Sequence, residues 1–279
     1  VGPAPTTVGA PPAAAPAPPG EDVVVTADRP AGPNPSATSA SVTVLTPDAR
    51  TPGSADVASL IDSAAGTNVQ RLGGLGDFAA VSIRGASLRQ VEVFLDGVPL
   101  NPDGADVVNL SELPLGAFSR IEVWRGNAPV SFGASPIGGV INLVTREGAG
   151  GRGGVSFGSW DTVRGDLYGA GEAGRRPEGG ELPLSGQLFV DALNTRGDFE
   201  YFADNNTIYN VLDDHVERRE NNDKLQFSGF ARGRAVLGGW RLSLADVPLF
   251  RDEGLPGTAN LPADEVRLTT TRNLSVAQL

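Results

Sequence analysis

From residue 119 to 145 the chain reads Ser-Arg-Ile-Glu-Val-Trp-Arg-Gly-Asn-Ala-Pro-Val-Ser-Phe-Gly-Ala-Ser-Pro-Ile-Gly-Gly-Val-Ile-Asn-Leu-Val-Thr. Apolar and polar positions alternate through Ile121 and Val123, and again through Val140, Asn142 and Val144. A period of two belongs to extended strands, and Gly126, Gly133, Gly138 and Gly139 break it, so two buried strands joined by a glycine-hinged loop are predicted. Val42 to Leu45, Val81 to Arg84 and Gln90 to Leu95 read as further strands, the last closed by the tight turn Asp96-Gly97 before Pro99. One stretch changes to the helical period: Val57, Leu60, Ile61 and Ala64 fall at i, i+3, i+4 and i+7, with Ser54 as the expected N-cap and Gly66 as the stop. Leu110 to Phe118 is expected to hold a short helical turn, and the set amounts to a small α+β domain.

After Gly148 the texture changes to glycine-rich links and alternating strands. Val163, Gly165 and Leu167 oppose Arg164, Asp166 and Tyr168; Leu188, Val190 and Ala192 oppose Gln187 and Asp191. Leu225, Phe227, Gly229 and Ala231 oppose Gln226, Ser228 and Arg232, and Trp240, Leu242 and Leu244 oppose Arg241 and Ser243. A soluble sandwich gives the same alternation. Connection lengths favour a membrane barrel: Gly238-Gly239 is very short, whereas Asn194 to Asp223 runs long without clear periodicity, and long loops on one rim with short turns on the other are a barrel's pattern. The stretch from Gly171 to Gly180 is a longer turn than that pattern predicts. Five strands and a sixth from Val266 are expected, against about 22 in a plugged transporter barrel, so Leu279 is expected to fall inside a strand of an incomplete barrel.

Composition narrows the choice. The net charge of -11 argues against a nucleic-acid partner, and the single lysine, Lys224, cannot complete a Walker A loop. Without cysteine there is neither a disulfide framework nor a thiolate metal site. No run of 18 apolar residues occurs, which removes a transmembrane helix and leaves a β-barrel open. The start is neither methionine nor a charged leader region, as expected where a signal peptide has been removed. Residues 1–20, almost all Ala, Pro, Gly and Thr, read as an extended linker or as an idle terminus.

The blocks Val81-Ser-Ile-Arg-Gly85, Val93-Phe-Leu-Asp-Gly-Val-Pro99 and Ser119 to Thr145, in that order, resemble the plug domain of TonB-dependent outer-membrane receptors, over about residues 21–147. The resemblance implies an α+β plug (28–147) followed by the first antiparallel transmembrane strands of a β-barrel (148–279). It implies a receptor in the outer membrane of a Gram-negative bacterium, embedded in outer-membrane lipid, with plug and N-terminus facing the periplasm and no enzymatic activity. Such a receptor takes up a scarce nutrient such as a siderophore, cobalamin or another metal chelate. The other reading is an envelope binding or scaffold protein built from an orphan plug and hairpins.

Site candidates follow. The segment 21–27, with Asp22, Val23, Val24, Val25, Thr26 and Ala27, is suited to adding a strand to another sheet, and it is similar to the TonB box captured by the periplasmic energy-coupling protein. Ligand-facing plug loops are expected at Leu72, Gly74, Asp77 and Phe78 and at Asn101, Asp103 and Asp106. Gly74, Gly76 and Ala79 mimic a dinucleotide fingerprint, but a strand follows where a helix is required. Arg84 and Arg125 match the family's plug arginines that pair with barrel-wall carboxylates, and would lock the plug. The acidic stretch Asp198 to Asp223 holds eight acids against two arginines, a net -6, so either it is a solvated loop or Asp204, Asp213 and Asp214 hold Ca²⁺. Gly154-Val-Ser-Phe-Gly158 mimics a nucleophile elbow, but Ser156 sits in an alternating strand and the sole histidine, His215, is a solvated loop residue.

Overall fold

The computed structural model describes residues 41–47, 56–74, 76–101, 106–126, 128–129, 132–133, 137–174, 184–204, 207, 209–237, 240–258 and 261–279. The linker 1–20, the strand Asp22 to Ala27, Ser54, Asp103 and Gly238-Gly239 lie outside them.

The N-terminal domain is built from β1 (Ser41–Leu45), α1 (Val57–Asp62), β2 (Thr67–Leu72), β3 (Phe78–Ile83), β4 (Val91–Leu95), β5 (Val98–Pro99), β6 (Phe118–Arg125) and β7 (Gly139–Thr145). Its main sheet has the order β1-β6-β7-β4-β5, with β4 and β7 parallel and the other pairs antiparallel. The glycine-hinged pair expected from the alternation is β6 and β7, whose register matches Val123 with Ile141. Asp96 and Gly97 take positive φ angles of 48° and 83°, which turn the chain tightly after β4.

Helix α1 is capped by Asp56, whose side chain accepts from the Ser59 amide at 2.7 Å. Val57 and Ile61 from its apolar face are buried, and they pack with Val81, Ile83, Val93, Ile121 and Leu143 into the main core. The expected helical turn after Leu110 is a pair of 3₁₀ turns, Leu110–Glu112 and Leu115–Ala117. Strand β2 was hidden in the sequence: Thr67-Asn-Val-Gln-Arg-Leu is too polar to read as buried, and it pairs with the buried β3 as the exposed strand of a hairpin.

The second sheet has six strands in the order β17-β14-β13-β10-β9-β8. They are β8 (Gly150–Gly158), β9 (Thr162–Ala173), β10 (Leu184–Thr195), β13 (Lys224–Leu237), β14 (Trp240–Gly254) and β17 (Arg267–Gln278). Between β10 and β13 stands a hairpin, β11 (Glu200–Ala203) with β12 (His215–Arg218), where no periodicity is evident in the sequence. Between β14 and β17 lies a smaller one, β15 (Gly257–Thr258) with β16 (Leu261–Pro262). The last strand, β17, runs to Gln278.

Every pairing in this sheet joins strands in antiparallel register, and each row of side chains therefore faces one way throughout. The buried face carries the charged side chains, interleaved with Phe189, Phe230, Val247 and Leu249. Lys224, Gln226, Ser228, Arg232, Arg251 and Glu253 are all buried against the α+β domain. The opposite rows are apolar and open, with Leu188 55% and Leu244 56% exposed alongside Leu167, Phe227 and Phe250. A sandwich in water buries its apolar face, so this arrangement is inside out for a soluble protein and right for a sheet whose outer face meets lipid.

A candidate plug lock and ligand apex

Where the second sheet meets the α+β domain, the contacts fall into three levels along the strands. At the end carrying the long connections, the β2–β3 hairpin presents the loop from Gly73 to Asp77. Gly73 has φ 119°, and a Cβ there would sit on the Asp77 carboxylate. One Asp77 oxygen accepts the Gly74 amide and the other accepts Lys224 Nζ, which also lies 3.0 Å from Glu253. The Gly76 carbonyl accepts Arg251 Nη1 at 2.5 Å and Ser111 Oγ at 3.0 Å.

Glu112 lies behind that loop as a buried hub. Its Oε1 accepts Asn109 Nδ2 at 2.9 Å and Arg251 Nη2 at 3.3 Å, while Oε2 accepts Arg272 Nη1. Asn109 in turn holds the Ala79 amide at 3.0 Å and the Ser111 hydroxyl at 2.8 Å. Apex loop, 3₁₀ turn and two strands of the second sheet are thus joined in one network.

The middle level is apolar. Gly116 packs so closely on Phe189 that a Cβ would come within 2.2 Å of its ring, and Phe118 meets Phe230 edge-on at 6.4 Å. The third level, nearer the short-turn end, is again charged: Arg232 Nη1 donates to Asp96 Oδ2 at 2.5 Å and to Thr145 Oγ1, and Thr145 donates to Asp96 at 2.8 Å. Arg234 reaches Glu147 at 2.6 Å.

Among the described residues, Arg84 and Arg125 take no part in these pairs. Arg125 donates to the Ala65 carbonyl and, at 2.7 Å, to Thr43 Oγ1, both in its own domain. Arg84 has φ 53° and lies beside Gly66 and Gly126, exposed. Among the described residues, the ion pairs that bridge the two parts run with the opposite polarity, the acids coming from the α+β domain and the cations from the second sheet.

Leu72 is exposed beside the apex and Phe78 half-buried at the start of β3. Asn101, expected to face ligand, is buried: it accepts the Val93 amide at 2.9 Å and donates to the carbonyls of Val91 and Asp106 at 3.2 Å. Asp106 is exposed. Among the described residues no three acids or histidines converge as metal ligands, and Asp213 accepts the Thr207 hydroxyl at 2.8 Å. Within the α+β domain, burial pushes the Asp56 carboxyl upward, but hydrogen bonds from Arg71 and Ser59 outweigh it and leave the group below its ordinary value.

Residues 34–140 match the TonB-dependent Receptor Plug Domain family. The chain carries a plug domain of the TonB-dependent receptor type. Over 129 residues it is 34% identical to the Vitamin B12 transporter BtuB of Vibrio cholerae serotype O1, a match covering 46% of this chain and 21% of that protein. Its fold is similar to the ferric yersiniabactin uptake receptor FyuA from Yersinia pestis, with TM-score 0.52 and 22% identity over 78% of this chain and 32% of that one. It is also similar to the ferric-catecholate import receptor Fiu from E. coli K12, with TM-score 0.52 and 18% identity over 77% of this chain and 28% of that one. The chain spans about a fifth of the transporter's length and about 30% of these receptors'. The α+β domain is the plug, and the second sheet is a section of the barrel wall. Receptors of this family are outer-membrane proteins that bind small-molecule ligands, and theirs is not an enzyme family.

Proposed function

We propose that this chain is the N-terminal part of a receptor that imports a scarce nutrient, a siderophore, cobalamin or similar chelate, with energy drawn from a TonB-type periplasmic protein. One observation carries the reading: the wall turns its charged row onto the plug and its apolar row outward, as a lipid-embedded sheet around a docked plug must. In this reading the long connections are extracellular. The apex loop Gly73 to Asp77 then stands under them, where cargo arrives, and its hydrogen bonds to Lys224 and Arg251 make it part of the lock that cargo must disturb. Residues 1–20 are the periplasmic linker, Asp22 to Ala27 the strand that the energy-coupling protein captures, 28–147 the plug and 148–279 the opening wall strands. The two motifs that mimic enzyme signatures lie in other settings: Ser156 is in mid-strand in β8, and Gly74 and Gly76 stand between the strands of the β2–β3 hairpin.

Strand addition needs main-chain donors, and proline at position 24 removes one while restricting its neighbour. The full-length Val24→Pro receptor should bind cargo as the parent does and fail to accumulate it in energised cells. Normal energised uptake by that variant would refute the coupling assignment.

A further inference from the structure

The plug–wall contacts carry a charge asymmetry that the import reading does not by itself require. Although the chain is acidic overall, the cations facing the plug belong to the wall. Lys224, Arg232, Arg251 and Arg272 come from β13, β14 and β17, and each meets a plug carboxylate: Asp77, Asp96 or Glu112. The wall's own buried acids on these rows are already occupied: Asp191 is paired with Arg164 at 2.6 Å, and Glu253 lies 3.0 Å from Lys224. Removing the plug therefore strips Arg232 of Asp96 and Arg272 of Glu112, and no wall acid stands in hydrogen-bond reach of either in the described contacts. Eight residues separate Lys224 from Arg232 on one strand, a rise of about 26 Å, so the row runs along most of a membrane's thickness.

Resting on the import reading, we infer that this wall section is a cation ladder for an anionic cargo, whose negative groups take the places of Asp77, Glu112 and Asp96 as the plug yields. With the plug displaced the row lines the lumen, where charges of one sign concentrate counter-ions, and a passing carboxylate, phosphate or deprotonated chelate group gains from that attraction. A neutral or cationic cargo does not, and would leave the ladder exposed throughout transit. The ladder thus selects by charge inside the wall, below the loops that first meet the cargo.

Chloride and potassium serve as the probes. The full-length receptor, reconstituted in a planar bilayer, is treated with graded urea to release the plug, and the reversal potential is read in a KCl gradient. A cleft lined with one sign of charge concentrates counter-ions by about tenfold or more. The parent should therefore pass chloride in preference to potassium by roughly that factor, and Arg232→Gln with Arg272→Gln should bring the ratio toward unity. The Arg232→Lys, Arg272→Lys receptor, which keeps the charge should the neutral variant fold poorly, should retain the preference. A pore that opens without anion preference, or whose preference survives the glutamine substitutions, overturns the ladder and leaves the import reading intact. Failure of any pore to open on plug release overturns both.

Discussion

Substituting Glu112 by glutamine removes one negative charge from a site bracketed by Arg251 and Arg272 while preserving volume. Arg251 is 6% and Arg272 38% exposed at the side chain, so the first pair is desolvated and the second partly screened. Removing one partner of a buried pair costs about 3–5 kcal/mol, and the exposure of Arg272 places this variant at the low end, about 3 kcal/mol. That is a factor of roughly 100 in the ratio of docked to released plug. The chain has no cysteine, so a single one at Leu115, beside the Gly116–Phe189 contact, reports plug release by maleimide labelling as urea is raised. In full-length receptor the Glu112→Gln variant should label at distinctly lower urea than the parent. Combined with Arg251→Gln, the two losses should fall short of additive by about 0.5–3 kcal/mol. Labelling curves that coincide within about 0.5 kcal/mol, the scatter of additive sites, would refute the assignment of Glu112 as the hub of the lock.

Gly116→Ala places a methyl group inside the Phe189 ring's contact distance and should loosen plug docking by about 1–3 kcal/mol, read in the same labelling assay, while the wall keeps its resistance to unfolding in detergent. For Asp56, the folded carboxyl titrates below its unfolded value of 3.8, so its contribution is fully present above that value and fades as pH falls through the folded one. Melting of the isolated plug, residues 28–147, should lose stability below about pH 4, and Asp56→Asn, which keeps a capping side chain but loses the ion pair with the partly exposed Arg71 and so up to about 1 kcal/mol at neutral pH, should flatten that acid limb; an unchanged pH profile would contradict the role of the Arg71 pair.

Period-two alternation exposed most of the wall strands, because apolar and polar rows separate in segments such as Lys224 to Arg232, where Phe230 alone breaks the polar row. What alternation cannot give is the sign: the same pattern serves a sheet that buries its apolar row and one that buries its charged row. The clue lay in the charges themselves, since Lys224, Arg232, Arg251 and Glu253 share one row and need partners that water supplies in a sandwich and a plug supplies here. At Arg84 and Arg125 a motif gives residue type and position but not the partner, and within this chain Arg125 turns onto Ala65 and Thr43. Asn101, a polar residue in a polar loop, brackets the backbone of β4. Asp96 and Glu112 were legible as turn and loop residues, and their role required knowing which wall strands lie opposite.

The inside-out wall is the claim on which the rest depends, and spin labels test it directly. Single cysteines at Leu188 and Leu244 on the apolar row and at Ser228 on the polar row are labelled with nitroxide in bilayer-reconstituted full-length receptor, and collision with lipid-dissolved oxygen is compared with collision with a water-soluble nickel chelate. The account predicts strong oxygen and weak nickel collision at positions 188 and 244, and weak collision with both at position 228, beneath the docked plug. Labels at 188 and 244 that meet nickel as readily as oxygen would place that face in water and contradict it.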